Sequence, residues 1–297
     1  MPSPIIQAQN LSKSFGKHTA LDQVNFNVHE GDFCAFIGPN GAGKSTTIRI
    51  LLGLIKASSG QAQVFNQTCS TDQARLMHRI GYLPSEAPLY KSITVTELLN
   101  LSRAQQASDC QAEQKRLIDL FELNPSARIQ DLSLGNRKKL AIITALHHRP
   151  ELYILDEPTS GLDPIMQDRF WQEMTQRHHA GATIFTSSHD LAEVQKYCHQ
   201  VVLIRQGQIV FHDSLDQLLS DNYKQISLKG QLTKPDLAGI SNWQIQDNNY
   251  HFRYQGTIKD LLQALNHDNQ VIEDISITPP TLDSLLHQYY QAKQKED

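Results

Sequence analysis

Eight consecutive residues narrow this chain more than any others. Gly38-Pro39-Asn40-Gly41-Ala42-Gly43-Lys44-Ser45 follows an apolar run, Phe33-Cys34-Ala35-Phe36-Ile37, that reads as a buried strand, and Thr46 opens a segment to Leu54 that reads as a helix. Glycines free the backbone to curl until consecutive N–H groups point inward, which makes an anion nest. The helix N-terminus adds partial positive charge at the same spot. Lys44 can then reach the outer phosphates of a nucleotide, and the Ser45 hydroxyl can hold a magnesium ion. The pattern Gly-x-x-x-x-Gly-Lys-Ser/Thr is the P-loop, and its strand-then-helix context separates it from a chance Gly-rich turn. By itself it specifies a phosphate site and says nothing of how the energy is spent.

Composition limits the alternatives. At 297 residues the chain has room for one large domain or two smaller ones. A net charge of −4, with Arg137-Lys138-Lys139 as the densest basic run, argues against a nucleic-acid-binding face. The four cysteines, Cys34, Cys69, Cys110 and Cys198, form no Cys-x-x-Cys pair, so zinc and redox motifs are not expected and a reducing cytosol suits them. Met1-Pro2-Ser3-Pro4 does not read as a signal peptide, and no apolar run approaches the length of a membrane span, so a membrane role has to come through a partner.

Along the chain, residues 5–37 read as strands, with Val24, Phe26 and Val28 alternating with polar neighbours. Phe15 falls in a polar loop, either as a surface aromatic or as a stacking platform for a base. Gln61 to Phe65 and Ile80 to Pro84 read as strands. Thr94-Val95-Thr96-Glu97 is a capping box that starts a helix to about Gln106. Asp109 to Phe121 reads as a second helix with Leu117, Leu120 and Phe121 on one face, and Lys138 to His148 as a third, ending before Pro150. His147 and His148, in its last turn, are read as structural partners of free carbonyls, not as metal ligands. Leu152 to Glu157 is an apolar strand ending in two acids, placed where ligands bind in α/β sheets. Ser160-Gly161-Leu162-Asp163-Pro164 turns into a helix to His179, Ala182 to Thr186 is a strand with His189 just past it, and Asp190 to Cys198 is helical. Strands at Val201 to Arg205 and Gln208 to His212 precede a short helix over 213–220. The remainder reads as strand–helix–strand–strand–helix–strand–helix, a small α+β appendage with no motif of its own.

Five features now stand in one order: the P-loop, a Leu-Ser-x-Gly segment (Leu132 to Gly135), the Asp156-Glu157 strand, the Ser160 to Asp163 turn, and His189 after a strand. This resembles the nucleotide-binding subunit of ATP-binding cassette (ABC) transporters over about residues 5–215. The resemblance implies an α/β fold: a P-loop NTPase cassette core, with a mixed sheet, an N-terminal antiparallel part and a helical insert over about residues 85–150. That core would span residues 1–215, and 216–297 would form the small C-terminal α+β subdomain.

It also implies roles for particular residues. Phe15 would stack on adenine, and Gly38 to Thr46 would hold the phosphates. Asp156 would hold magnesium through water, beside Ser45. Glu157 would be the general base on the attacking water, a task suited to a carboxylate near the γ-phosphate. His189 would contact the γ-phosphate, and Asp163 would communicate across a dimer. Ser133 and Gly135, at a helix N-terminus, would cap the γ-phosphate bound by the opposite subunit. ATP and Mg2+ are therefore the expected ligands. The expected partners are a second cassette and a separate integral-membrane permease at the cytoplasmic face of the membrane, without nucleic acid. Three positions depart from the family pattern: Leu134 and Asn136 replace a glycine and a glutamine, and Ser85, followed by Glu86, stands where a glutamine would approach the metal. Ser85 is too short for that reach, so slower turnover is expected. Pro279 to Tyr290 resembles the closing segment of cassettes that serve ABC-2-type permeases, or else is a generic amphipathic helix. The competing readings are a soluble cassette acting on ribosomes or DNA, and a P-loop kinase that would leave His189 and Asp163 unexplained.

Overall fold

A computed structural model describes residues 4–70, 76–86, 92–106, 109–219, 223–266 and 271–278. The chain divides into two compact units between Asp213 and Ser214.

The first unit begins with a hairpin. Strands β1 (Pro4–Phe15) and β2 (His18–His29) pair antiparallel through the Phe15–His18 register, across Gly16 at φ 60°. Gly16 supplies the positive φ that a tight hairpin turn needs. Val24, Phe26 and Val28 all face inward, as their alternation requires. Phe15 is the last residue of β1, not a loop residue, and it stands 51% exposed with the Lys13 ammonium 4.9 Å from its ring centre. Strands β3 (Phe33–Ile37), β4 (Ser59–Val64) and β5 (Gln67–Thr68) follow, with helix α1 (Lys44–Leu51) after β3.

Next come β6 (Ile80–Leu83), three helices, α2 (Val95–Ala104), α3 (Gln111–Leu120) and α4 (Leu134–Leu146), and then β7 (Leu152–Asp156). The unit closes with α5 (Pro164–His179), β8 (Thr183–Ser188), α6 (Leu191–Tyr197), β9 (Gln200–Arg205) and β10 (Gln208–Ser214). One sheet is ordered β2-β1-β4-β5 and the other β10-β9-β3-β8-β7-β6. Stacked rings of Phe26, Phe36 and Phe185, with centroids 5.3–5.8 Å apart, join the two sheets in one apolar core. Each such ring, fully buried, contributes about 1.5–3 kcal/mol.

The capping box at Thr94 forms as its sequence requires, with Thr94 Oγ1 accepting from Glu97 N and Glu97 Oε2 accepting from Thr94 N. Helix α4 starts at Leu134 and not at Lys138. Ser133 caps it by accepting from Asn136 N, which offsets the poor helix propensity of Gly135 and Asn136. Of the apolar stripe on α3, Leu117 and Phe121 are buried while Leu120 is only partly covered.

Charge pairs tie the helical insert to the sheet core. Glu113 of α3 accepts from Arg116, Arg149 and Arg177, and Glu173 of α5 accepts from Arg116 and Arg177, at 2.6–3.1 Å. Burial would raise the Glu113 carboxyl, but the three guanidiniums outweigh it and bring it down to about 2. His147 lies fully buried, bonded to Ser102 Oγ at 2.8 Å and Cys110 Sγ at 2.9 Å. Burial, then the nearby cations, lower its pKa to about 4, so it is a neutral bridge and not a cation at the helix end.

Both shifts destabilise the fold in acid. The unfolded chain takes up a proton at His147 below about pH 6.5, and the folded chain refuses it until about 4. Stability therefore falls as pH drops through that window, by up to about 1.4 kcal/mol per pH unit from this one group. Glu113 adds a further loss between 4.5 and about 2. A His147→Gln variant is expected to be less stable at pH 7.5 and to show a flatter decline between pH 6.5 and 4, read by calorimetry.

The second unit holds α7 (Leu215–Leu219), β11 (Lys224–Gln231), β12 (Ile240–Gln246), β13 (Asn249–Tyr254), α8 (Ile258–Leu265) and β14 (Val271–Thr278). Its antiparallel sheet is ordered β12-β13-β11-β14 over a core of Ile226, Leu228, Phe252, Tyr254, Leu261 and Leu265. No helix forms between β11 and β12, contrary to the expected order, and Pro235 and Gly239 stand in that connection. The closing helix expected over Leu282 to Tyr289 lies outside the described residues.

Candidate functional site

The parallel strands end level with one another. Ile37 of β3 pairs with Ser188 of β8, Asp156 of β7 with Ser187, and Leu83 of β6 with Leu155. Gly38, His189, Glu157 and Pro84 therefore leave the sheet at one edge, the carboxyl end where α/β folds bind ligands.

The loop Gly38 to Thr46 curls at this edge. A Cβ at Gly38 would come within 2.3 Å of the Ile204 carbonyl, and one at Gly43 within 2.7 Å of the Ala20 carbonyl, so neither position accepts a side chain. Gly43 at φ 110° and Gly41 at φ 79° turn the backbone into α1, and no side chain among the described residues caps that helix. The N–H groups of Lys44, Ser45 and Thr46 form its uncapped first turn, while Ala42 N donates to Pro39 O at 3.1 Å and Asn40 is exposed beside them. Lys44 is only 6% exposed, and its Nζ donates to the carbonyls of Gly38 and Pro39. Burial lowers its pKa, and Glu157 and Asp156 oppose that shift.

Asp156 is buried, and its Oδ1 accepts from Ser187 Oγ at 2.6 Å. Glu157 adopts φ 48°, and its N–H donates to Ser187 O at 3.2 Å and Ser187 Oγ at 3.0 Å. Its Oε1 lies 3.5 Å from Nδ1 of the exposed His189. One serine thus fixes both acids. Ser133 and Asp163 cap neighbouring helices, α4 and α5, with Asp163 Oδ1 accepting from Met166 N. The two caps meet where Gly135 passes Gly161: a Cβ on Gly135 would sit 3.2 Å from the Gly161 carbonyl. Leu134, beside them, is 73% exposed.

Comparison with known proteins decides the family. The sequence profile of the ABC transporter family matches residues 21–160. The bacitracin transport ATP-binding protein BcrA of Bacillus licheniformis is 34% identical over 276 residues, which cover 86% of this chain and 85% of that protein. The chain belongs to the ABC transporter family. It is the ATP-binding subunit, an ATPase whose hydrolysis is coupled to transport. The probable multidrug ABC transporter ATP-binding protein YbhF of Escherichia coli (strain K12) is 30% identical over 250 residues, and the match spans 43% of its length. A solved ATP-binding subunit of an ABC transporter superposes with a TM-score of 0.68 at 30% identity, covering 72% of this chain and 91% of that one.

The residues of this cassette suit Mg-ATP. Ser45 and Asp156 offer the hard oxygen donors that magnesium takes, and the uncapped α1 and buried Lys44 suit phosphate. Ser85 is exposed, and its backbone carbonyl accepts from Lys138 Nζ. Two residues escaped the sequence reading. Ser187 carries no motif, and only the strand register reveals its place beside Asp156. Lys138 stands out in the sequence only as part of the Arg137-Lys138-Lys139 run, yet it is 6% exposed and reaches the carbonyls of Pro84, Ser85 and Glu157.

Proposed function

We propose that this subunit hydrolyses Mg-ATP as one of two facing cassettes and powers export through a separate ABC-2-type permease at the cytoplasmic face of a membrane. The observation that carries the paired arrangement is the separation of two half-sites. The P-loop follows β3, whereas Ser133 caps α4, which packs on β6 with β8 and β7 lying between those strands. Strand spacing puts β3 and β6 about 14 Å apart. A phosphate held at Lys44 therefore takes its Ser133 and Gly135 cap from another chain.

Within such a pair, the α1 N–H groups and Lys44 bind and orient the phosphates, and Phe15 offers an exposed ring to the base. Ser45 and Asp156 would hold magnesium, which neutralises charge on the phosphates when bound. Glu157 accepts a proton from the attacking water, and His189 meets the γ-phosphate beside it. Positioning and charge stabilisation are most of what phosphoryl transfer needs, so completing the site by dimerisation is an effective switch, and Asp163 lies on the facing surface to report it.

Export is supported by the names of the relatives, which concern bacitracin transport and multidrug transport. Among the described residues no helix is long and apolar enough to cross a membrane. The ABC-2 assignment rests on Pro279 to Tyr290, outside the described residues. The test is co-expression with a neighbouring gene encoding about six apolar segments of roughly 20 residues. The two proteins are expected to co-purify from detergent, with ATPase activity changed by the permease. A cassette that copurifies with no membrane protein contradicts the reading.

A further inference from the structure

Lys138 stands in the second turn of α4, just past the Ser133 cap. Its Nζ donates to Glu157 O at 2.9 Å and to the carbonyls of Pro84 and Ser85 at 3.3 Å. A lysine ammonium has three N–H donors, and each has one of these carbonyls. Three elements meet there: the helix that carries Ser133, the end of β6, and the turn after β7. Burying a cation is costly, and the nearby Asp156 and Glu157 carboxylates offset only part of that cost; an exposed lysine at the same helix position would avoid it.

Glu157 shows what the cation holds. At φ 48° it occupies the left-handed region that a residue with a Cβ seldom adopts. Its N–H side is fixed by Ser187, through both O and Oγ. Its carbonyl side is fixed by Lys138 at 2.9 Å and, more loosely, by Ser160 N at 3.3 Å. The direction in which the side chain leaves this residue, toward His189, depends on both anchors.

We infer that Lys138 is a positioning residue for hydrolysis: it aims the Glu157 carboxylate and locks it to the Pro84–Ser85 segment and to α4. This rests on the reading of Glu157 as the general base. Movement of the Pro84–Ser85 segment or of α4 would reach the carboxylate through one side chain.

The experiment compares Lys138→Met, Lys138→Gln and Glu157→Gln in the full chain, with steady-state ATPase and thermal unfolding. Methionine keeps the length and removes every donor, and a small misplacement of a reacting group costs up to about 100-fold, so kcat is expected to fall about 10- to 100-fold with KM for Mg-ATP unchanged. Glutamine, which restores two N–H donors, is expected to recover part of the loss. Adding Lys138→Met to Glu157→Gln is expected to lower the residual rate no further, because the lysine acts through the glutamate. A wild-type kcat in Lys138→Met, or a full additional loss in the double variant, overturns the inference. Loss of cooperative unfolding in both Lys138 variants also overturns it, since the lysine would then serve folding alone. A wild-type rate in Glu157→Gln removes the general-base reading itself and is distinguishable from either result.

Discussion

Lys44→Ala is expected to abolish ATP hydrolysis and, with it, the proposed formation of ATP-dependent dimers. The ammonium is the cation buried inside the loop, where it already bonds the carbonyls of Gly38 and Pro39. Alanine leaves the phosphates to backbone N–H groups alone. Losing one preorganised donor of this type costs about 10²–10³ in rate, and losing a full charge costs at least as much. The fold should survive, because position 44 opens α1 and alanine is the best helix former. Steady-state ATPase checks the first effect, and light scattering with and without Mg-ATP checks the second. Retained ATP-dependent dimers would contradict the assignment of the γ-phosphate as the bridge between the P-loop and the partner's Ser133.

Glu157→Gln is expected to give the complementary result: hydrolysis should fall by about 10²–10⁴, the range that general-base catalysis supplies, while the proposed ATP-driven dimers should persist and live longer. Glutamine has nearly the same shape, so the backbone bonds to Ser187 and Lys138 remain. What it lacks is a carboxylate to take the proton. Closure depends on phosphate contacts, which the variant keeps, and reopening depends on hydrolysis, which it loses. Opposite dimer behaviour in the Lys44 and Glu157 variants separates binding from chemistry. If Glu157→Gln hydrolyses ATP at the wild-type rate, the base lies elsewhere. If the unaltered chain shows no more activity than this variant, the departures at Ser85, Leu134 and Asn136 have silenced it.

Much of the site could be read because its chemistry demands particular residues at short spacing. The nest needs glycines where Gly38 and Gly43 pass carbonyls too closely for any Cβ. Asp156 and Glu157 had to end an apolar strand, and the Thr94 box had to cap a helix. The expected start of α4 was late by a turn because propensity at Gly135 and Asn136 argues against helix, while the Ser133 cap favours it. The extra helix expected between β11 and β12 failed for a related reason: a segment holding Pro235 and Gly239 has weak local preference, and sheet pairing with β13 settles its surroundings.

The linear sequence by itself determined the Gly-rich loop between strand and helix, the acidic pair at the end of its strand and the position of His189 just past a strand, because each is a local pattern whose geometry the neighbouring residues impose. Only the tertiary structure decided that Ser187 binds both acids, that His147 is a neutral buried bridge, and that Glu113 gathers three arginines. It also decided that Lys138 is anchored beneath Glu157. These contacts join residues far apart in the chain, and a side chain's type does not reveal its partner until strand register and helix packing have brought the two together.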